Sequence, residues 1–217
     1  MAPEIKFCGM TRAVDAQCAA QLGAAYVGVI FAGGPRKRTL EQAAAVLADL
    51  PGRVRRVGVF GTQTPEEIAS VAATLRLDVV QLHGGADPSA VTAVRKRTSA
   101  DIWVVIGLSR GFLPENSKAI AAIADGVVLD AYVPGMMGGT GVALPWQELA
   151  AQLDAVRPTR LILAGGLRPD NVARAISLVA PDVVDVSSGV ETDVGIKDHV
   201  KMRAFRDAAS QASIPTP

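Results

Sequence analysis

The feature that most restricts what this chain can fold into is a repeat: short aliphatic runs recur at intervals of roughly 25 residues, each followed by a segment with helical spacing, the pattern of βα units on a parallel sheet. Eight such runs are present, at residues 5–8, 25–31, 54–60, 78–82, 102–106, 126–130, 161–164 and 183–187. Between them Val14, Cys18 and Leu22 share one helical face, as do Leu40, Ala44 and Leu47, and later Val172, Ile176 and Val179. Pro65 fits the first turn of a helix after Thr64, and Pro169 the first turn of one before Asp170 and Asn171. Eight similar units in 217 residues are simplest to close on themselves. The expected fold is therefore α/β, a single (β/α)8 barrel spanning residues 1–217, with 213–217 a loose C-terminal tail. An open doubly wound sheet is the structural rival.

Charge and cysteine usage narrow the function classes. Lys and Arg total 22 against 21 Asp and Glu, a formal net charge of +1, so no long-range field favours nucleic acid or an anionic membrane. An anionic ligand has to be held locally. The two cysteines, Cys8 and Cys18, form neither a metal-ligand cluster nor a disulfide framework, which points to a reduced, cytoplasmic protein with no metal. Glu4, Lys6, Arg12 and Asp15 leave the N-terminus without the apolar core of a signal peptide. Residues 16–35 carry no charge, but Gln17, Gln21 and the glycines 23, 28, 33 and 34 interrupt them, so a membrane span is rejected.

In a barrel of this kind the active site lies at the C-terminal ends of the strands, so the residues that close each run matter most. Strand 1 closes with Cys8-Gly9, strand 4 with Gln81-Leu82-His83-Gly84, strand 6 with Asp130, strand 7 with Ala164-Gly165-Gly166 and strand 8 with Asp185-Val186-Ser187-Ser188-Gly189. Glycines let backbone N–H groups approach an oxyanion, and the joint occurrence of Gly165-Gly166 and Ser187-Ser188 at two adjacent strand ends points to a phosphate held there. Gly139, in the loop 138–141, is a further donor or part of a closing flap.

Cys8 reads either as a small buried hydrophobe or as a base, and the second role requires an electropositive pocket, since an ordinary thiol is only a few per cent ionised at neutral pH. Cys18, on the apolar face of the first helix, reads as core. An ionised Asp130 at the end of an aliphatic strand is costly without a partner or a task, which favours a task. Arg36, with Arg38 as the alternative, can clamp a carboxylate with its planar fork. Gln81 and His83 are candidates for substrate contact, His83 as an orienting group rather than a base.

With these residues in place the chain resembles the phosphoribosylanthranilate isomerases, barrel enzymes of tryptophan biosynthesis. The resemblance runs from Lys6-Phe7-Cys8-Gly9-Met10-Thr11 through Arg56-Val57-Gly58-Val59-Phe60, Val80-Gln81-Leu82-His83-Gly84 and Leu129-Asp130 to Gly138-Gly139-Thr140-Gly141, Gly165-Gly166-Leu167 and Asp185-Val186-Ser187-Ser188-Gly189-Val190-Glu191. It implies a cofactor-free Amadori rearrangement of a phosphorylated aminosugar, with Asp130 as general acid, Cys8 as general base, Arg36 on the anthranilate carboxylate and Gly165, Gly166, Ser188 and Gly189 on the phosphate. It also implies a small-molecule substrate and a monomer or homodimer. The loop after strand 2 is one residue shorter than the commoner form, and Gly61 and Leu144-Pro145 depart from the family pattern. Two readings compete: another phosphoribosyl barrel isomerase, which would place an aspartate where Cys8 stands, and a silent phospho-ligand-binding barrel, which would need neither Cys8 nor Asp130.

Overall fold

The computed structural model describes residues 2–83, 88–108, 111–131, 145–157 and 159–212. Strands β1 (Glu4–Phe7), β2 (Tyr26–Ile30), β3 (Arg55–Phe60), β4 (Val79–Leu82), β5 (Asp101–Leu108), β6 (Gly126–Ala131), β7 (Arg160–Leu163) and β8 (Val183–Val186) alternate with helices. The helices are α1 (Ala13–Gln21), α2 (Leu40–Leu47), α3 (Pro65–Leu75), α4 (Pro88–Arg95), α5 (Ser117–Ala121), α6 (Trp146–Ala150), α7 (Val172–Val179) and α8 (His199–Gln211). The strands pair in chain order into a closed parallel barrel, in which β8 returns to β1 and Asp185 falls opposite Lys6. Closure removes the unpaired edges that an open sheet exposes. All eight expected strands form, to within a few residues at their ends.

Period-two alternation sorts each strand into two cores. Outward residues such as Phe7, Val27, Val80, Leu129 and Val184 are buried against the helices. Inward ones, among them Tyr26, Val57, Val79, Trp103, Val128 and Ile162, fill the barrel itself. Each such fully buried aliphatic or aromatic side chain stabilises the fold by about 1.5–3 kcal/mol relative to leaving it in water. Below this layer the N-terminal mouth is closed by an ionic cluster. Arg160 donates to Glu4 and to the Tyr26 hydroxyl (2.8 Å), Arg55 donates to Asp101 (2.6 Å) and to the same hydroxyl (3.3 Å), and Tyr26 donates to Glu4 (3.1 Å).

The helix starts follow from their caps. Thr39 and Thr64 each form a capping box, with Gln42 and Glu67 respectively, and Pro65 stands in the first turn of α3 as expected. The α7 face of Val172, Ile176 and Val179 is buried, and Cys18 is core. Two expected faces need correction. Val14 is half exposed, and α2 buries Ala43, Val46 and Leu47 while Leu40 and Ala44 face solvent. In helices of eight or nine alanine-rich residues a neighbouring stripe fits the spacing equally well, and packing makes the choice. Pro169 lies in the turn before α7, whose first residue is Val172 after the cap residue Asn171.

An unanticipated hairpin, β9 (Glu191–Asp193) with β10 (Ile196–Lys197), lies between β8 and α8. Gly84, the loop 138–141 with Gly139, and the segment 213–217 lie outside the described residues. Among the described residues no helix is long and apolar enough to cross a membrane.

Candidate active site

The C-terminal ends of the strands surround a cavity whose wall includes Cys8, Arg36, Gln81, His83, Asp130, Gly165, Gly166, Ser188 and Gly189. Every described member of the sequence-derived set is therefore in one place. Arg38 is absent from that wall and turns back onto the carbonyls of Arg36 and Pro35, so the geometry favours Arg36.

Cys8 follows β1 and is only 7% exposed, yet it borders the cavity. Its position depends on Gly28 of β2: a Cβ added there would meet the Cys8 sulfur at 3.0 Å and the Lys6 Cε at 3.4 Å. The missing side chain is the space in which the thiol and the lysine stem lie together. Burial pushes the Cys8 thiol up, the Lys6 ammonium opposes that, and the Asp185 carboxylate reinforces it, leaving the group above its ordinary value. The electropositive surroundings that a thiolate base requires are present, but they do not outweigh desolvation.

Lys6 has no exposed surface, and its Nζ donates to Asp185 Oδ2 at 2.6 Å. Burial alone would lower its pKa; the carboxylate more than offsets this, and the lysine stays cationic. His83 is pushed down by burial and then by Lys6, which makes it a neutral imidazole at pH 7 and suits the orienting role. Asp130 sits inside β6, paired in register with Gly107 of β5. Gln81 is buried, and its Oε1 has no hydrogen-bond donor among the described residues.

Arg36 does clamp a carboxylate, but it is the protein's own. Its Nε and Nη2 donate to Glu191 Oε1 and Oε2 at 2.8 and 2.6 Å. Glu191 also accepts from the buried Lys197 at 2.8 Å. Burial would raise the Glu191 carboxyl, yet the bonds from Arg36 and Lys197 hold it below its usual range. The side-on edge of the guanidinium is thus occupied, and the end-on edge carrying Nη1 is what it can offer a ligand.

The loops after β7 and β8 form a continuous wall. Gly165 and Gly166 have φ of 81° and 66°, a region that favours glycine. Asn171 ties this turn down, donating to the Gly166 carbonyl at 3.0 Å and accepting from the Arg168 N–H at 2.7 Å. Gly189 lies so close that a Cβ there would sit 1.9 Å from the Leu167 carbonyl oxygen. Only two backbones without an intervening side chain can approach in this way.

Sequence reasoning did not assign roles to Lys6, Asp185, Glu191 or Lys197. Alternation offers a signal for the first two: Lys6 lies two residues before Cys8 and Asp185 two before Ser187, so both face inward. Among the described residues no group of three or more His, Cys, Asp or Glu is placed to hold a metal ion.

A closed parallel barrel whose strand ends gather a thiol, a carboxyl group and paired glycine turns around one cavity defines a (β/α)8-barrel enzyme. The sequence model for N-(5'-phosphoribosyl)anthranilate (PRA) isomerase matches residues 5–208, and the chain belongs to that family. The N-(5'-phosphoribosyl)anthranilate isomerase of Thiobacillus denitrificans is 40% identical over 214 residues, covering 94% of this chain and 97% of that one. The crystal structure of the Thermotoga maritima phosphoribosyl anthranilate isomerase superimposes with a TM-score of 0.86 at 33% identity, covering 96% of this chain and 98% of that one. A phosphoribosyl anthranilate isomerase in complex with reduced 1-(o-carboxyphenylamino)-1-deoxyribulose 5-phosphate gives a TM-score of 0.83 at 32% identity, with coverage of 96% and 98%.

Proposed function

We propose that this enzyme is a phosphoribosylanthranilate isomerase, converting N-(5-phospho-β-D-ribosyl)anthranilate to 1-(2-carboxyphenylamino)-1-deoxy-D-ribulose 5-phosphate in L-tryptophan biosynthesis, without a cofactor. The observation that carries the assignment of roles is that Cys8 and Asp130 border the same cavity as the glycine turns after β7 and β8. Asp130 protonates the ring oxygen, the C1′–O bond breaks, and the anthranilate nitrogen takes up the positive charge as an iminium. Cys8 thiolate then removes the C2′ proton, giving an enolamine that tautomerises to the ketose. Each positioned proton transfer is worth roughly 10²–10⁴-fold.

A thiol whose pKa burial raises fits this order of events. The iminium brings a positive charge beside the sulfur at the step that needs the thiolate, adding to Lys6 and Lys197. The phosphate is held by the N–H groups of Gly165, Gly166, Ser188 and Gly189, and the anthranilate carboxylate by the remaining edge of Arg36. Reducing surroundings such as the cytoplasm keep the thiol base available.

The test is to add the protein to freshly made phosphoribosylanthranilate and follow the loss of its fluorescence. Rapid decay proportional to enzyme is the expected result. Decay no faster than the spontaneous rate, with phosphate-ligand binding retained, would replace the assignment by a silent binding barrel.

A further inference from the structure

The cavity presents two kinds of polar group at two depths. Toward the rim are donors, the Arg36 guanidinium and the glycine-turn amides, which suit anions. One layer deeper, on β4 and β8, are acceptors. Asp185 is 8% exposed and borders the cavity; its Oδ2 is taken by Lys6, while Oδ1 is buried with no hydrogen-bond donor among the described residues. Gln81 Oε1 stands in the same condition on the opposite part of the sheet.

A buried carboxylate oxygen to which the protein supplies no donor is expensive unless a ligand or a water supplies one. An acceptor of this kind repels a phosphate or a carboxylate and is satisfied by a hydroxyl. The pentose part of the substrate is the one that carries hydroxyls. It must also lie deepest, since Cys8, directly above Lys6 on β1, has to reach a carbon of that sugar.

We infer that Asp185 is a further substrate-binding residue, anchored by Lys6, whose Oδ1 accepts a hydrogen bond from a hydroxyl of the substrate's pentose. The inference rests on the isomerase reading above. Lys6 acts here as a positioning residue: its 2.6 Å bond to Oδ2 fixes the carboxylate rotamer and compensates its charge, leaving Oδ1 as the oxygen that a ligand can use. Asp185 thereby sorts polyol phosphates from simple aryl or alkyl phosphates that would satisfy only the rim.

The wild-type enzyme is first shown to turn over phosphoribosylanthranilate and to bind the reduced product analogue 1-(o-carboxyphenylamino)-1-deoxyribulose 5-phosphate by calorimetry. Failure at this stage removes the isomerase reading itself. The same titration is then made with Asp185→Asn and with Lys6→Met/Asp185→Asn, which removes the ion pair as a unit and leaves no lone buried charge. The expected result is an affinity for the analogue lower by about tenfold or more, with binding of inorganic phosphate unchanged. Analogues lacking single pentose hydroxyls should lose the same factor on the wild-type enzyme, and one of them should lose nothing further on the Asp185→Asn variant.

Wild-type affinity in a folded variant would overturn the inference. So would a parallel loss of phosphate binding, which would mark Asp185 as scaffolding only. Should neither variant fold, equal binding of every deoxy analogue to the wild-type enzyme overturns it, and a tenfold loss with one of them sustains it.

Discussion

Arg36 and Glu191, 155 positions apart in the chain, meet through two parallel hydrogen bonds of 2.8 and 2.6 Å, and Lys197 donates a third to the same carboxylate at 2.8 Å. An arginine held in this way is set before any ligand arrives, which saves the entropy of ordering a long side chain on binding. Glu191→Gln should weaken that hold and leave Lys197 buried opposite a neutral amide. KM for phosphoribosylanthranilate should rise roughly 5–50-fold while kcat changes much less, because carboxylate recognition is common to ground and transition states. Steady-state kinetics decide the matter, and an unaltered KM would separate Arg36 from substrate binding.

Cys8→Ala and Asp130→Asn should leave the fold and analogue binding largely intact while turnover falls by about 10²–10⁴-fold or more in each. Circular dichroism, calorimetry and a fluorescence assay on the same preparations check this. Near-normal turnover in either variant removes that residue from the proton transfers.

Burial holds the Cys8 thiol above its ordinary value in the free enzyme. The ionised form is the reactive one, so alkylation by iodoacetamide should rise with pH along a curve displaced to higher pH than that of a free thiol. Lys6→Met removes the nearest opposing cation and should displace the curve further upward. A downward displacement in that variant would show that Lys6 does not act on the sulfur. Mass spectrometry can separate Cys8 from Cys18.

Most of the barrel was legible in the sequence because parallel strands buried on both faces must be aliphatic throughout, and eight such runs leave little choice of architecture. The strand ends were legible too, since Cys8, Asp130 and the Gly165-Gly166 turn break an apolar pattern. Partnerships were not. Nothing local tells Arg36 that its side-on edge is spent on Glu191, or that Lys6 lies against Asp185, 179 positions away. The helix faces of Val14, Leu40 and Ala44 were misread because alanine carries too little surface to mark a side. The hairpin of β9 and β10 is short and largely polar, so no periodicity announces it.

Gly166→Asp adds a negative charge and a side chain at φ 66°, in the turn assigned to the phosphate. The expected effect is a rise in KM of about tenfold or more, shared by the affinity for inorganic phosphate. An unchanged KM would place the phosphate elsewhere.

Asp15, fully buried in α1, accepts two bonds from Arg12 and lies 2.9 Å from His199 and 3.2 Å from the Lys197 N–H. Burial would raise its carboxyl, but the Arg12, His199 and Lys197 bonds bring it below the usual 3.8. A depressed folded-state pKa gives stability that is present above the ordinary value and lost as pH falls through the folded one. Asp15→Ala should therefore cost about 3 kcal/mol near neutral pH, with the gap from wild type narrowing below the usual carboxyl range. Urea titrations of both proteins across that range measure it.

The ionic cluster of Glu4, Tyr26, Arg55, Asp101 and Arg160 and the aromatic pair above it, Tyr26 and Trp103 with ring centroids 4.9 Å apart, have a kinetic meaning as well as a structural one. They fill the N-terminal end of the barrel, leaving the C-terminal strand ends, where the cavity lies, as its doorway. Incoming aldose and outgoing ketose, which carry the same phosphate and the same aryl carboxylate, must use that doorway in turn. If the glycine turns and Arg36 grip those end groups as proposed, the same grip slows departure as much as it aids capture, and added ketose is expected to inhibit initial rates.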